Sequence, residues 1–221
     1  MIRYHENVPV QRPNSVSGSV WRRLQARLRP APIATIGALQ GFLRERALFL
    51  AQKCAIDYCR GKTGLASYAL FTEKPFLDAL DVCRWETFLA VLGDLLILTE
   101  GIMRPHTAPA PQSRLGDALI ALHAAILTDL PAPAHRAQGW GDATDSFAPR
   151  LMTASAGTPR QAVKVADHSA QRLFETLPIH SSYRELDEEV VYGAVRFRMI
   201  ALSGEMQRRF AAPELVRQLL A

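Results

Sequence analysis

Apolar residues recur at three- and four-residue intervals through most of the chain, and this rhythm predicts helices rather than strands. From Ile36 the positions Ile36, Leu39, Leu43, Ala47, Leu50, Cys54 and Tyr58 advance by 3, 4, 4, 3, 4 and 4 residues, the spacing that gathers side chains on one face of a helix. The pattern predicts a helix over 36–60, closed by Gly61 in a left-handed cap, with Arg60 at its negative end. A second tract over 73–103 has Thr72 as cap and Pro75 in the first turn, where a missing N–H is harmless. Gly93 within it marks a kink or the close approach of another helix. Ser113 heads a third helix with the stripe Leu115, Leu119, Leu122, Ile126 and Leu130. Thr158 and Pro159 open a fourth that reaches Leu177. Ser182 and Glu185 make a capping box for a fifth reaching about Phe210, with Asp187, Glu188 and Glu189 in its positive first turn, and Pro213 opens a short last one.

Two stretches lack the period. The first sixteen residues read as an extended arm, followed by a short helix over 20–28 with Ser17 or Ser19 as cap, ended by Pro30 and Pro32. Trp21, Leu24 and Leu28 share one stripe of that helix, and Arg22, Arg23, Arg27 and Arg29 cover the rest. Residues 131–157 hold three prolines and three glycines and read as one long loop, well beyond the usual length between packed helices. The predicted architecture is all-α: an irregular bundle of about six helices in one domain over 33–221, with the loop at 131–157, preceded by a basic arm and short amphipathic helix over 1–32.

Composition supports a folded chain and excludes several classes. With 221 residues, 48% hydrophobic and 21% charged, there is ample material for a core. Three cysteines are too few and too odd in number for a disulfide framework, and the N-terminus lacks a secretory apolar core, so a cytoplasmic location is expected. The most apolar run, 88–98, is broken by Asp94 and flanked by Glu86 and Glu100, which predicts a buried helix and no transmembrane segment.

The net charge of +5 is unevenly laid out: residues 1–62 carry 11 basic and 3 acidic side chains, net +8, residues 63–158 carry 6 and 10, net −4, and residues 159–221 carry 9 and 8, net +1. A basic first quarter is where an anionic partner docks. Arg46, Lys53 and Arg60 lie seven residues apart, forming a row along the helix over 36–60, and the cluster of Arg22, Arg23, Arg27 and Arg29 adds a second basic surface.

Catalytic and metal motifs are missing. No Glu-x-x-His occurs, no two of the six histidines are four residues apart on a helix, and Cys54 and Cys59, five apart, stand roughly 140° from each other around one. The Gly61, Lys62, Thr63 run lacks the preceding strand and the glycine that a phosphate loop needs, since Ile56 stands there. No metal, cofactor or catalytic residue is therefore assigned. Asp94 is the one conspicuous acid: apolar neighbours on nearly all sides predict a buried ion pair, with Arg46, Arg196 or Arg198 as partner.

Together these features point to a non-catalytic helical subunit of a larger assembly, holding a nucleic-acid backbone through Arg22, Arg23, Arg27, Arg29, Arg46, Lys53 and Arg60. One alternative is a protein-binding or membrane-surface assembly factor that inserts Trp21, Leu24 and Leu28 at an interface. A second is an enzyme with a site between helices around Asp94 and the loop 131–157 as its lid.

Overall fold

Thr35 opens the first long helix, its hydroxyl accepting the N–H of Ala38 at 3.2 Å. This helix, α1 (Ile36–Thr63), buries Leu39, Leu43, Ala47, Leu50 and Cys54 along the expected stripe. It runs two residues past Gly61. The positive φ of 52° is taken by Gly64, whose N–H closes on the carbonyl of Arg60. The structure, a computed structural model, describes residues 30–108 and 112–221, so the arm and the cluster Arg22, Arg23, Arg27, Arg29 lie outside the described residues.

The remaining helices are α2 (Ser67–Leu70), α3 (Lys74–Met103), α4 (Gln112–Thr128), α5 (Gly141–Ser155), α6 (Ala162–Thr176), α7 (Ser181–Arg184), α8 (Glu188–Arg209) and α9 (Ala212–Leu219). Among the described residues there is no strand, only an isolated bridge between Ile33 and Phe210. Among the described residues six helices are long; α2 and α7 are single turns and α9 is short. None of the described helices is long and apolar enough to cross a membrane.

The unit Pro32–Ala221 is built around α3, which packs against α1, α4, α5, α6, α8 and α9. This central position explains the unbroken apolar run. From Phe88 onward nearly every residue of α3 is buried whichever way it points. Cys54, Cys59 and Cys83 are buried in the same core, and burial pushes the thiols of Cys54 and Cys59 up to about 11 and about 12, so they behave as small hydrophobes.

Three expectations are corrected. The segment 131–157 is not one loop: it contains α5, which buries Ala143, Phe147, Leu151 and Ala154 at spacings of 4, 4 and 3. Pro149 lies inside this helix, and Thr153 donates its hydroxyl to the Pro149 carbonyl at 2.8 Å. The part before α5, residues 131–140, holds one 3-10 turn (Ala134–Arg136) and is docked. Trp140 donates to the Leu130 carbonyl at 3.1 Å and lies 5.5 Å from the Trp85 ring. Second, α6 starts at Ala162 rather than at Thr158 and Pro159, because Pro159 is held over Gly101 of α3, where any Cβ would stand 3.3 Å from it. Third, the helix over 182–210 is interrupted before Glu188. Asp187 sits at the break and places its carboxylate on the Tyr58 hydroxyl at 2.8 Å and the Lys62 ammonium at 2.6 Å.

Candidate functional site

Three carboxylates are buried along α3, and each is tied to an arginine from elsewhere in the sequence or from its own helix. Glu100 takes both oxygens to Arg104, at 2.6 and 2.8 Å. Arg104 in turn donates to the carbonyls of Ala154 and Gly157, which pins the connection between α5 and α6 to the end of α3. Glu86 accepts from Arg136 at 2.7 and 3.0 Å, from Arg172 at 2.6 Å and pairs with His135 at 3.0 Å. Burial opposes ionisation of Glu86, yet Arg136, Arg172 and His135 hold its carboxyl down to about 2.

Asp94 is 0% exposed and pairs with Arg150 of α5, Nη2 to Oδ1 at 2.5 Å, while its other oxygen accepts the N–H of Ser169 on α6 at 3.1 Å. The partner is therefore none of the three expected. Arg46 is committed to Glu205 at 2.8 Å, Arg196 to Asp167 at 2.7 Å and Arg198 to Asp57 at 3.0 Å. Those pairs join α1, α6 and α8, whereas Asp94 faces the side of α3 covered by α5 and α6. Burial pushes the Asp94 carboxyl up to about 6 against the pull of Arg150 and Ser169. Nearby His123 is stacked on Phe147 at 4.5 Å, and burial together with the charge of Arg150 drives its imidazole down to about 4.

Above these pairs lies a groove. Helix α5 packs on α3 and α4, and α6 packs on α3 and α8, so the two stand apart over the floor formed by α3. The central cavity between them, about 510 Å³, is lined by Leu89, Ser146, Phe147, Arg150, Gln171 and Arg172, among others. It shares Glu86, Arg136 and Arg172 with an outer cavity, and Arg150 and His168 with an inner one of about 290 Å³. Arg150, 28% exposed, is thus anchored from below by Asp94 and faces two cavities above. Among the described residues its Nε and Nη1 have no hydrogen-bond partner. His168 is exposed at the rim; desolvation where its ring lines the groove, then the charges of Arg150 and Arg172, hold it down to about 4.

The basic row read from the sequence is differently placed. Lys53 pairs with Asp57 at 2.7 Å, Arg46 with Glu205, and the Arg60 guanidinium lies 5.4 Å over the Phe71 ring. The structure does not bring these three side chains to the groove. The sequence singled out Asp94 and its neighbour Gly93, which lie on α3 outside the cavity lining; Arg150 was hidden by its position in a stretch rich in proline and glycine. Its signal was the short stripe Ala143, Phe147, Leu151 and Ala154. No protein family, curated protein or solved structure matches the chain.

Proposed function

We propose that the protein is a binding module for an anionic small molecule, held in the groove between α5 and α6. The observation that carries this reading is Arg150, a partly exposed guanidinium that is fixed by a buried carboxylate and lines two neighbouring cavities. Arg136 and Arg172 are oriented in the same way by Glu86. Cations held in place before a ligand arrives lose little freedom when it binds, and arginine's planar fork suits oxyanions.

Asp94 is a positioning residue in this scheme. Both its oxygens are engaged and it does not line the cavities, which favours binding over an enzyme built on Asp94 as acid or base. The nucleic-acid reading now rests on Arg22, Arg23, Arg27 and Arg29, four arginines within eight residues with no acid among them, since Arg46 and Lys53 are neutralised by Glu205 and Asp57.

The test is thermal denaturation of the full chain against a panel of small anions at millimolar concentration, for the wild type and Arg150→Lys. The lysine keeps a charge for Asp94 but lacks the second set of donors. A concentration-dependent rise in Tm that shrinks in Arg150→Lys is expected; no rise with any anion, or the same rise in both proteins, contradicts the reading. Co-purification of nucleic acid that is lost on changing the four N-terminal arginines to glutamine favours the second reading instead.

A further inference from the structure

We propose that the inner end of the groove, lined by Arg150, Arg160 and Lys164, is a phosphate subsite; this rests on the reading of the groove as a ligand site and names the chemistry of one end of the ligand. The inner cavity of about 290 Å³ differs from the central one in its charge. Arg150, Arg160 and Lys164 line it together with Ile97, Thr153 and His168, and no carboxylate does. The central cavity offsets Arg136, Arg150 and Arg172 with Glu86, Asp142 and Glu175. Among the described residues neither Arg160 nor Lys164 has an ion-pair partner, in a protein where most other cations do. Arg160 and Lys164, uncompensated beside the Asp94-paired Arg150, repel one another on this concave surface, and an anion between them removes that repulsion.

The first turn of α6 works in the same direction. Helix N-termini favour acidic side chains and disfavour cations, yet the first turn of this 15-residue helix holds no acid, Gln161 places no side chain on the helix end, and Lys164 stands within the turn with Arg160 just before it. This local conflict costs stability in the empty protein and is relieved by an anion. A phosphate group fits better than a carboxylate. It brings roughly two negative charges at neutral pH against the two unpaired cations Arg160 and Lys164, and three terminal oxygens, where a carboxylate brings half the charge. The group is supplied either by free phosphate or by a phosphomonoester whose remainder extends past Arg150 into the central cavity, toward Ser146 and Gln171.

The experiment is calorimetric titration of the full chain with orthophosphate, ribose 5-phosphate and unphosphorylated ribose, for the wild type, Arg160→Gln/Lys164→Gln, Lys164→Glu and Arg217→Gln. Arg217 is an exposed cation on α9, outside the groove. Saturable binding of a phosphate-bearing probe is expected, weakened about tenfold or more by the double change and by Lys164→Glu, and unaltered by Arg217→Gln. Tighter binding of ribose 5-phosphate identifies an ester as the source, and tighter binding of orthophosphate identifies the free ion. Lys164→Glu also raises Tm without ligand, because it supplies the acid the helix end lacks, so loss of binding is separated from loss of fold. Absence of saturable binding by either phosphate probe overturns the subsite, as does an equal loss in Arg217→Gln. Should other small anions still act through Arg150 while phosphate does not bind, the groove reading survives and the phosphate subsite falls.

Discussion

Gly93 lies directly beneath the guanidinium that Arg150 extends to Asp94. A Cβ at position 93 would stand 3.1 Å from the Nη1 of Arg150 and 3.1 Å from the Phe147 ring, so a side chain there obliges one or both to move by a few tenths of an ångström. Phe147 has little room to move, being buried and stacked on His123. Gly93→Ala is therefore expected to destabilise the protein by about 1–3 kcal/mol despite alanine's better helix propensity. Urea denaturation measures this, and a variant as stable as the parent would show that α5 adjusts freely.

The pH dependence of Asp94 has a definite sign. Its carboxyl titrates at about 6 in the fold, against 3.8 ordinarily, so the native state holds the extra proton between those values. The contribution of Asp94 to stability is accordingly highest at acid pH and falls as pH rises through its folded value. His123 runs oppositely, its folded value of about 4 lying below the ordinary 6.5, so its contribution is lost as pH falls. Comparing the wild type with Asp94→Asn cancels this background. The stability difference, wild type minus variant, is expected to fall by about 3 kcal/mol from about pH 4 to about pH 6. A difference that stays flat or rises contradicts the burial of an ionised Asp94.

What the sequence disclosed and what it hid follow one physical division. The stripe of α1 and the apolar length of α3 were legible because helical periodicity records burial on one face or on all. Asp94 stood out for the same reason, as a charge in an apolar stretch. Its partner did not, because Arg150 lies in α5, where Pro149 within the helix, Gly139 before its start and Gly141 at its start outweigh a stripe of only four residues. The groove itself is a matter of which helices pack and which stand apart, and three-dimensional spacing of that kind leaves no local pattern. Likewise the row of Arg46, Lys53 and Arg60 was visible as positive charge, while Glu205, which neutralises Arg46, lies 159 residues further on.

Glu86 holds the connection between α4 and α5 to the body through Arg136 and His135, and pairs also with Arg172 of α6. Its folded value of about 2, below the ordinary 4.5, means its stabilisation is present above the ordinary value and is lost as pH falls toward the folded one. Glu86→Gln is expected to cost on the order of 3 kcal/mol and to open the segment 131–140, so that trypsin cuts after Arg136 in the variant but not in the wild type. Equal cleavage rates would mean that Trp140 alone keeps the segment docked.

The most direct test of the groove is a phosphate titration followed by amide chemical shifts of the full chain. Saturable shifts are expected, confined to the walls of the groove, in the second half of α5, at Arg160 and Lys164 and around His168, with α1 unmoved. Shifts centred on Arg46, Lys53 and Arg60, or shifts that never saturate anywhere, would contradict the groove reading.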